Sequence, residues 1–214
     1  MQLARHTPGG PAEAPSASRS GTTKTPFPLS YECHTLYAVW VFDASTLILL
    51  AKAELLDLFL DDFQGRPCIP KAVEAESTGD PSRPDGALIR QRILEGRLEV
   101  KEVSQPRIVS RLLQDFRLGK GEAEALTLAL ETGEAAVVAT DDRNAIRACK
   151  VLRLGFVTSL GILVRAVEKG LLTREDGIRS LERLKSYGRF GAEVIEEVSR
   201  QIGGIAHGES SKDG

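Results

Sequence analysis

Residues 36–50 read LYAVWVFDASTLILL. The run Leu36 to Phe42 is nearly all apolar, which predicts a strand buried on both faces. It ends in Asp43. Ser45 or Thr46 is placed to cap a following helix that runs through Leu47, Leu50, Leu55 and Leu58.

The same alternation continues downstream. Gly65 and Pro67 mark a turn before a short strand, Cys68-Ile69, which passes through Pro70 into a helix over 71–77. After a polar loop with Gly79, Pro81 and Pro84 come a helix over 87–95, a strand over 98–103 and a helix over 108–116. Gly119 and Gly121 interrupt before an Ala- and Leu-rich helix over 122–131. A strand over 135–139, a helix to about Lys150 and a short strand over 155–157 complete the series. Strands alternating with helices predict a parallel sheet covered on both faces, a three-layer α/β/α fold. From Thr173 the pattern is purely helical. Thr173 and Asp176 form a capping box, Gly188 ends that helix, and residues 192–202 form the last.

Residues 1–35 are rich in Pro, Ser, Gly, Ala and Thr with no apolar period, and read as a disordered tail. The expected organisation is that tail, an α/β domain over 36–170, a helical C-terminal extension over 171–203 and a second tail over 204–214. An apolar fraction of 42% and a charged fraction of 27% supply a packed core. The net charge of −2 does not mark a nucleic-acid binder, nor does it exclude one with an acidic site. Cys33, Cys68 and Cys149 are odd in number and lack metal-ligand spacing, which argues against a disulfide framework or a zinc site and fits a reducing cytoplasm. No stretch has the length and apolarity of a membrane span, and no apolar signal core stands at the N-terminus.

Two of the apolar strands end in acid. Asp43 follows Val41-Phe42, and Thr140-Asp141-Asp142 follows Val137-Val138-Ala139. In open parallel sheets ligands bind beyond the carboxyl ends of the strands. Carboxylates at the edge of a dry core are costly unless neutralised, and a hard divalent cation with oxygen ligands neutralises them. The plainer role of each is a helix cap: Asp142 for the helix starting at Arg143, Asp43 for its own turn. On the helix after Pro70, Glu76 shares a face with Ala72 and Val73, while Glu74 lies nearly opposite. Glu122 and Glu124 stand about 200° apart on their helix, so they cannot both aim at one point. A helix N-terminus favours either one.

The segments VWVFDASTLILLAKAELLDLF, CIPKAVEAE, GKGEAEALTLALETG and VVATDDRNAIRACKVLRLG, in that order, resemble the PIN-domain family. The helical end, GLLTREDGIRSLERLKSYGRF, is similar to a subgroup of bacterial and archaeal PIN-like proteins related to the toxins of toxin–antitoxin pairs. The resemblance implies a parallel sheet of about five strands and an acidic cluster that binds Mg²⁺ or Mn²⁺ for RNA hydrolysis. Position by position, Asp43 matches the first acid and Glu76 the second. Glu124 matches the third with Glu122 as competitor, and Asp142 the fourth with Asp141 as a further ligand. Thr140 matches a supporting hydroxyl. The expected enzyme is a metal-dependent endoribonuclease, with RNA as substrate and a small antitoxin protein or a second copy of the chain as partner. Arg143, beside the acids, is the expected phosphate contact. The span 83–120 holds nine Lys/Arg against five Asp/Glu, including Arg83, Arg90, Arg92, Arg97, Arg107, Arg111 and Arg117. These are read as a solvated helix face with ordinary charge pairs, the alternative being a phosphate-facing surface.

Two other classes compete. A phosphatase of the haloacid-dehalogenase type has its nucleophilic Asp after such a strand, but Ser45 stands where its second Asp belongs. A catalytically weak PIN-like module that binds RNA or protein is left open by Glu in place of the family's usual Asp at the third position.

Overall fold

The structure, a computed structural model, describes residues 38–205 except 63 and 134. The sequence-predicted tails lie outside the described residues apart from Gly204 and Ile205, as do Leu36 and Tyr37 of the first predicted strand.

Five parallel strands form one sheet in the order β3-β2-β1-β4-β5. They are β1 (Val39–Phe42), β2 (Arg66–Pro70), β3 (Glu99–Lys101), β4 (Ala136–Ala139) and β5 (Gly155–Val157). Strand β1 lies at the centre, and its side chains alternate between the two faces. Val39 and Val41 enter one core cluster with Cys68, Val138, Leu126 and Cys149. Phe42 enters the other with Ile69, Ala139, Leu47 and Leu163. Helices α5 (Pro106–Phe116), α6 (Lys120–Thr132) and α7 (Arg143–Leu152) cover the first face. The opposite face carries α1 (Ala44–Lys52), α2 (Leu56–Asp62), α3 (Lys71–Thr78), α4 (Pro84–Leu94), α8 (Ser159–Glu168), α9 (Arg174–Tyr187) and α10 (Ala192–Gly204). The fold is therefore the three-layer α/β/α arrangement that the alternating pattern predicts.

Several local details differ from the sequence reading. The long helix expected through Leu58 is two helices, broken where Glu54 adopts a left-handed φ of 61°. The break costs about 1–2 kcal/mol at one residue. It lets Leu55, Leu56 and Phe59 all reach the core, and Phe59 meets the edges of both Trp40 and Phe42 at ring-centroid separations of 5.2 and 5.1 Å. Asp43, rather than Ser45 or Thr46, caps α1: its carboxylate accepts from Thr46 N at 2.7 Å. Pro67 lies inside β2, paired with Trp40, one residue before β3 begins to pair. Its missing N–H is tolerated at that edge. Helix α8 was not foreseen because eight of its ten residues are buried, which erases the apolar period a surface helix shows.

The Thr173–Asp176 capping box is present: the threonine hydroxyl accepts from Asp176 N at 3.0 Å and donates to its carboxylate at 2.7 Å. Leu181 and Leu184 of α9, and Ile195, Val198 and Ile202 of α10, are buried in the core shared with α1 and α8. Val194, next to Ile195 on α10, faces outward and is 37% exposed.

One glycine carries the entry to β2. Gly65 has φ +137°, and a Cβ there would stand 2.3 Å from Ala38 O and 2.8 Å from Trp40 Nε1. The neighbouring backbone bond Arg66 N to Ala38 O, at 2.8 Å, ties β2 to β1. Gly65→Ala is expected to destabilise the fold by about 2–4 kcal/mol through forbidden φ and overpacking. Urea unfolding should show a lower midpoint at similar m-value.

Candidate active site: an acidic cleft at the switch point of the sheet

The chain leaves β1 toward β2 and β3 on one side and returns to β4 and β5 on the other. The strand order therefore reverses between β1 and β4, and parallel sheets bind ligands in the crevice beyond such a point. Phe42 pairs with Ala139, the last residue of each strand. Asp43 and Thr140 emerge next to each other, joined by Asp43 N to Ala139 O at 3.1 Å.

Asp43 is 1% exposed. Its Oδ1 accepts from Thr46 N and, at 3.2 Å, from Ser45 Oγ; its Oδ2 accepts from the Thr140 hydroxyl. No cationic side chain is among these partners. Burial pushes its pKa up to about 6, against these hydrogen bonds, and the charge of Asp141 raises it further. Asp141 Oδ2 accepts from Thr46 Oγ1 at 3.1 Å, and Ser159 N donates to Oδ1 at 3.1 Å. Burial raises this carboxyl too. Thr46 Oγ1 in turn accepts from Asp141 N at 2.9 Å, so one buried hydroxyl clamps the two strand ends together. Asp142 is the cap of α7, accepting from Ala145 N at 2.8 Å. The plain capping roles of Asp43 and Asp142 are thus both present, and in both residues one carboxylate serves the helix start at the strand end.

A second acidic group lies between α3 and α6. Neither helix has a side-chain cap of its own, because Pro70 and Gly119 occupy the cap positions. Glu124 of α6 accepts from Ala72 N at the start of α3 at 3.0 Å, and Glu76 of α3 accepts from Gly121 N at the start of α6 at 3.2 Å. The two helices cap each other reciprocally. Gly121 permits the approach, since a Cβ there would lie 2.8 Å from Glu76 Oε2. Burial raises the pKa of Glu76, followed by the charge of Glu122. Lys120 approaches Glu124 at 3.8 Å.

Beyond the strand ends is a cleft of about 390 Å³ lined by Glu122, Asp141, Asp142 and Ser45, with Lys52 and the segment Tyr187–Phe190 on its walls. Of Glu122 and Glu124 at the start of α6, Glu122 lines this cleft; Glu124 does not, nor does Glu76 of α3. Arg143 is exposed beside Asp142 but outside the cleft lining. Sequence reasoning missed Thr46 and Ser159 as site residues, because their contacts with Asp141 depend on pairing β1 with β4 and β5, and Ser45, whose hydroxyl bonds Asp43 locally. It also missed Lys52 and Arg189, which come from helix ends distant in sequence. Four of the arginines in 83–120 have partners elsewhere. Arg92 makes a forked contact with Asp57 at 2.5 and 2.8 Å, which holds that carboxyl below its usual range. Arg97 also reaches Asp57, Arg83 pairs with Asp85, and Arg90 donates to Thr78 O at 2.5 Å. Cys68 and Cys149 are buried, with thiols pushed up by burial to about 11 and 12, and serve as core residues.

The donor set suits a hard divalent cation. Asp43 and Asp141 are desolvated carboxylates with no cationic partner, and the hydroxyl of Ser159, whose N–H holds Asp141, is buried with no hydrogen-bond partner. Among the described residues no three His, Cys, Asp or Glu side chains stand at the spacing of a complete metal cage. Mg²⁺ commonly takes one or two carboxylates and completes its shell with water and substrate phosphate oxygens, so the open cleft and few carboxylates fit it.

An acidic cleft at the switch point of a parallel sheet stands where an open α/β fold of this class binds its ligand. The family model described as a PIN domain matches residues 39–204, and the chain belongs to the PIN-domain family. PIN domains are generally nucleases and typically use divalent metals. No curated protein and no solved structure gives a significant match. No helix among the described residues is long and apolar enough to cross a membrane.

Proposed function

We propose that the protein is a metal-dependent endoribonuclease that hydrolyses RNA phosphodiester bonds in the cleft beyond β1 and β4. The observation that carries this reading is the pair of strand-end carboxylates, Asp43 buried and Asp141 half-buried, which share Thr46 and have no cationic hydrogen-bond partner. Asp43, Asp141, Asp142 and Glu122 would hold Mg²⁺ or Mn²⁺. A bound divalent cation lowers the pKa of a coordinated water and neutralises charge on the phosphate; paired sites lie about 3.5–4 Å apart.

The chain's own residues do the rest. Thr140 and Thr46 fix the two strand-end carboxylates, so that they need not reorganise as charge develops. Asp142 and Glu122, which line the cleft, are placed to accept the proton lost by the attacking water. Arg143 is positioned to contact a phosphate. Glu76 and Glu124, the sequence-based second and third acids, would act through Glu122 by holding α3 against α6. No protein nucleophile is required.

The test is cleavage of a labelled single-stranded RNA with Mn²⁺, Mg²⁺ or EDTA. Wild type should cut only with metal. Glu122→Gln should lower the rate about 100-fold, a loss of roughly 2.7 kcal/mol in transition-state stabilisation, whereas Glu124→Gln, which keeps an oxygen for Ala72 N, should lose much less. The reverse order would return the third position to Glu124.

The spacing of the acids favours a second reading, a PIN-like module that binds RNA or protein and cuts weakly. Metal-independent RNA binding with no cutting by folded wild type would select it. A toxin role, with a small antitoxin covering the cleft, belongs to the resemblance of the helical end, and co-expression with a neighbouring reading frame tests it.

A further inference from the structure

The cleft has a second wall that the hydrolytic chemistry does not use. Tyr187, at the end of α9, is 56% exposed, the only aromatic among the exposed large hydrophobics of the described residues. Its ring lines the same cleft as Glu122, Asp141 and Asp142. Lys52 Nζ, from the end of α1, stands 5.5 Å from the ring centroid. Arg189, exposed in the segment between α9 and α10, also lines the cleft. Neither cation makes an ion pair among the described residues, although three carboxylates line the same space.

One concave site thus brings together an exposed aromatic ring, two cations outside any ion pair and three carboxylates. An RNA backbone entering the cleft would be repelled by its carboxylates and needs positive charge along its path. A nucleobase offers a flat apolar face to an aromatic ring. In a paired A-form helix the bases are stacked within the duplex and cannot reach such a ring, whereas an unpaired base can.

We propose that Tyr187, with Lys52 and Arg189, is the docking platform for an unpaired nucleotide next to the scissile phosphate. Tyr187 stacks on the base, and Lys52 and Arg189 contact the flanking phosphates. Lys52 also sits over the ring, which it can leave for a phosphate without exposing a buried charge. The volume of the cleft, near 390 Å³, is that of a site for one small ligand unit such as a nucleotide. The inference rests on the nuclease reading of the adjacent acids. Trp40, the other residue with strong stacking power, is committed to the core through Phe59 and donates its indole N–H to Gln64 O at 3.0 Å.

The experiment is fluorescence-anisotropy binding of a short labelled oligouridine to the full chain in EDTA, where metal-dependent cutting cannot proceed. The same oligomer annealed to its complement is the duplex probe. Cleavage in Mn²⁺ is measured separately. The expected result is tighter binding of the single strand than of the duplex. Tyr187→Ala should weaken single-strand binding about tenfold while Tyr187→Phe restores it. Arg189→Gln should weaken it and reduce the salt slope by about 0.7. Tyr187 is exposed, so a thermal melt should match wild type. Equal binding of Tyr187→Ala and wild type, or of duplex and single strand, would overturn the proposal. Cutting by wild type together with unchanged binding by Tyr187→Ala sinks the platform and leaves the nuclease standing. Tyr187-dependent binding with no cutting in any metal does the opposite.

Discussion

Asp43→Asn is expected to abolish metal-dependent RNA cleavage, by about a thousand-fold or more, and at the same time to make the metal-free protein more stable at neutral pH. The first effect follows from position. Asp43 follows the central strand, is buried, and is held by Thr46 N, Ser45 and Thr140 beside the cleft-lining Ser45 and Asp141. Asparagine keeps an oxygen for Thr46 N but removes the negative charge a cation requires, and the loss of a charge aimed at the reacting centre is typically worth several kcal/mol.

The second effect follows from the raised pKa. The folded carboxyl titrates near 6 and the unfolded one near 3.8. Between these values the folded chain binds more protons than the unfolded chain, so stability falls as pH rises through that window. Below about pH 4 both states are protonated and no penalty remains. Above about pH 6 the full penalty applies, of order 3 kcal/mol at one pKa unit per 1.36 kcal/mol. Asparagine is neutral at every pH and avoids it; the Thr140 hydroxyl can turn to accept from its amide. Thermal melts in EDTA at pH 7 should therefore show Asp43→Asn above wild type, with the gap closing toward pH 4. A mutant equal to or less stable than wild type at pH 7 would show that the buried charge is compensated by something other than metal. Excess Mg²⁺ should raise the melting temperature of wild type and leave the mutant nearly unchanged.

Thr46→Val should cost both stability and activity although it adds no charge and preserves shape. The Thr46 hydroxyl accepts from Asp141 N and donates to the Asp141 carboxylate, while its backbone N–H caps onto Asp43. Valine retains the last contact and deletes the first two. A half-buried N–H then loses its acceptor, and a half-buried carboxylate loses a donor close to the buried Asp43. Each unsatisfied group costs about 1–3 kcal/mol, so the midpoint in urea should fall by an amount equivalent to about 2–4 kcal/mol. Cleavage should drop by at least tenfold because Asp141 is no longer aligned with Asp43. Thr46→Ser keeps the hydroxyl and should recover most of the rate. Loss of stability with full activity would show that Thr46 serves the fold alone.

Much of the architecture is legible in the order of residues. The apolar strands at 39–42 and 136–139, the acids that end them and the helical patterns between them specify a parallel sheet with an acidic edge. Gly119 and Thr173 mark helix starts correctly, because capping and turn chemistry act over a few residues, whereas Gly121, read as a break, lies inside α6. Where several apolar residues are buried together, local rules fail. The break at Glu54 is set by the need to bury Leu55, Leu56 and Phe59, and α8 shows no period because it is enclosed.

Asp43 and the pair Asp141-Asp142 are likewise visible as acids at strand ends, since a carboxylate beside an apolar run is conspicuous in any register. Which glutamate faces the cleft is not, because helical spacing separates Glu122 from Glu124 without saying which side meets β1. Only the packing of α6 against α3 decides it, turning Glu124 and Glu76 to each other's helix starts and leaving Glu122 in the cleft lining. The same holds for Thr46 and Ser159, which reach Asp141 only once β1, β4 and β5 stand side by side. Lys52, Tyr187 and Arg189 meet the acids because α1 and α9 end at the same edge of the sheet. Sequence alone determined the strands, the caps and the charges at their ends, because these are local. Tertiary structure decided which charges share a space, because that depends on contacts between residues far apart in the chain.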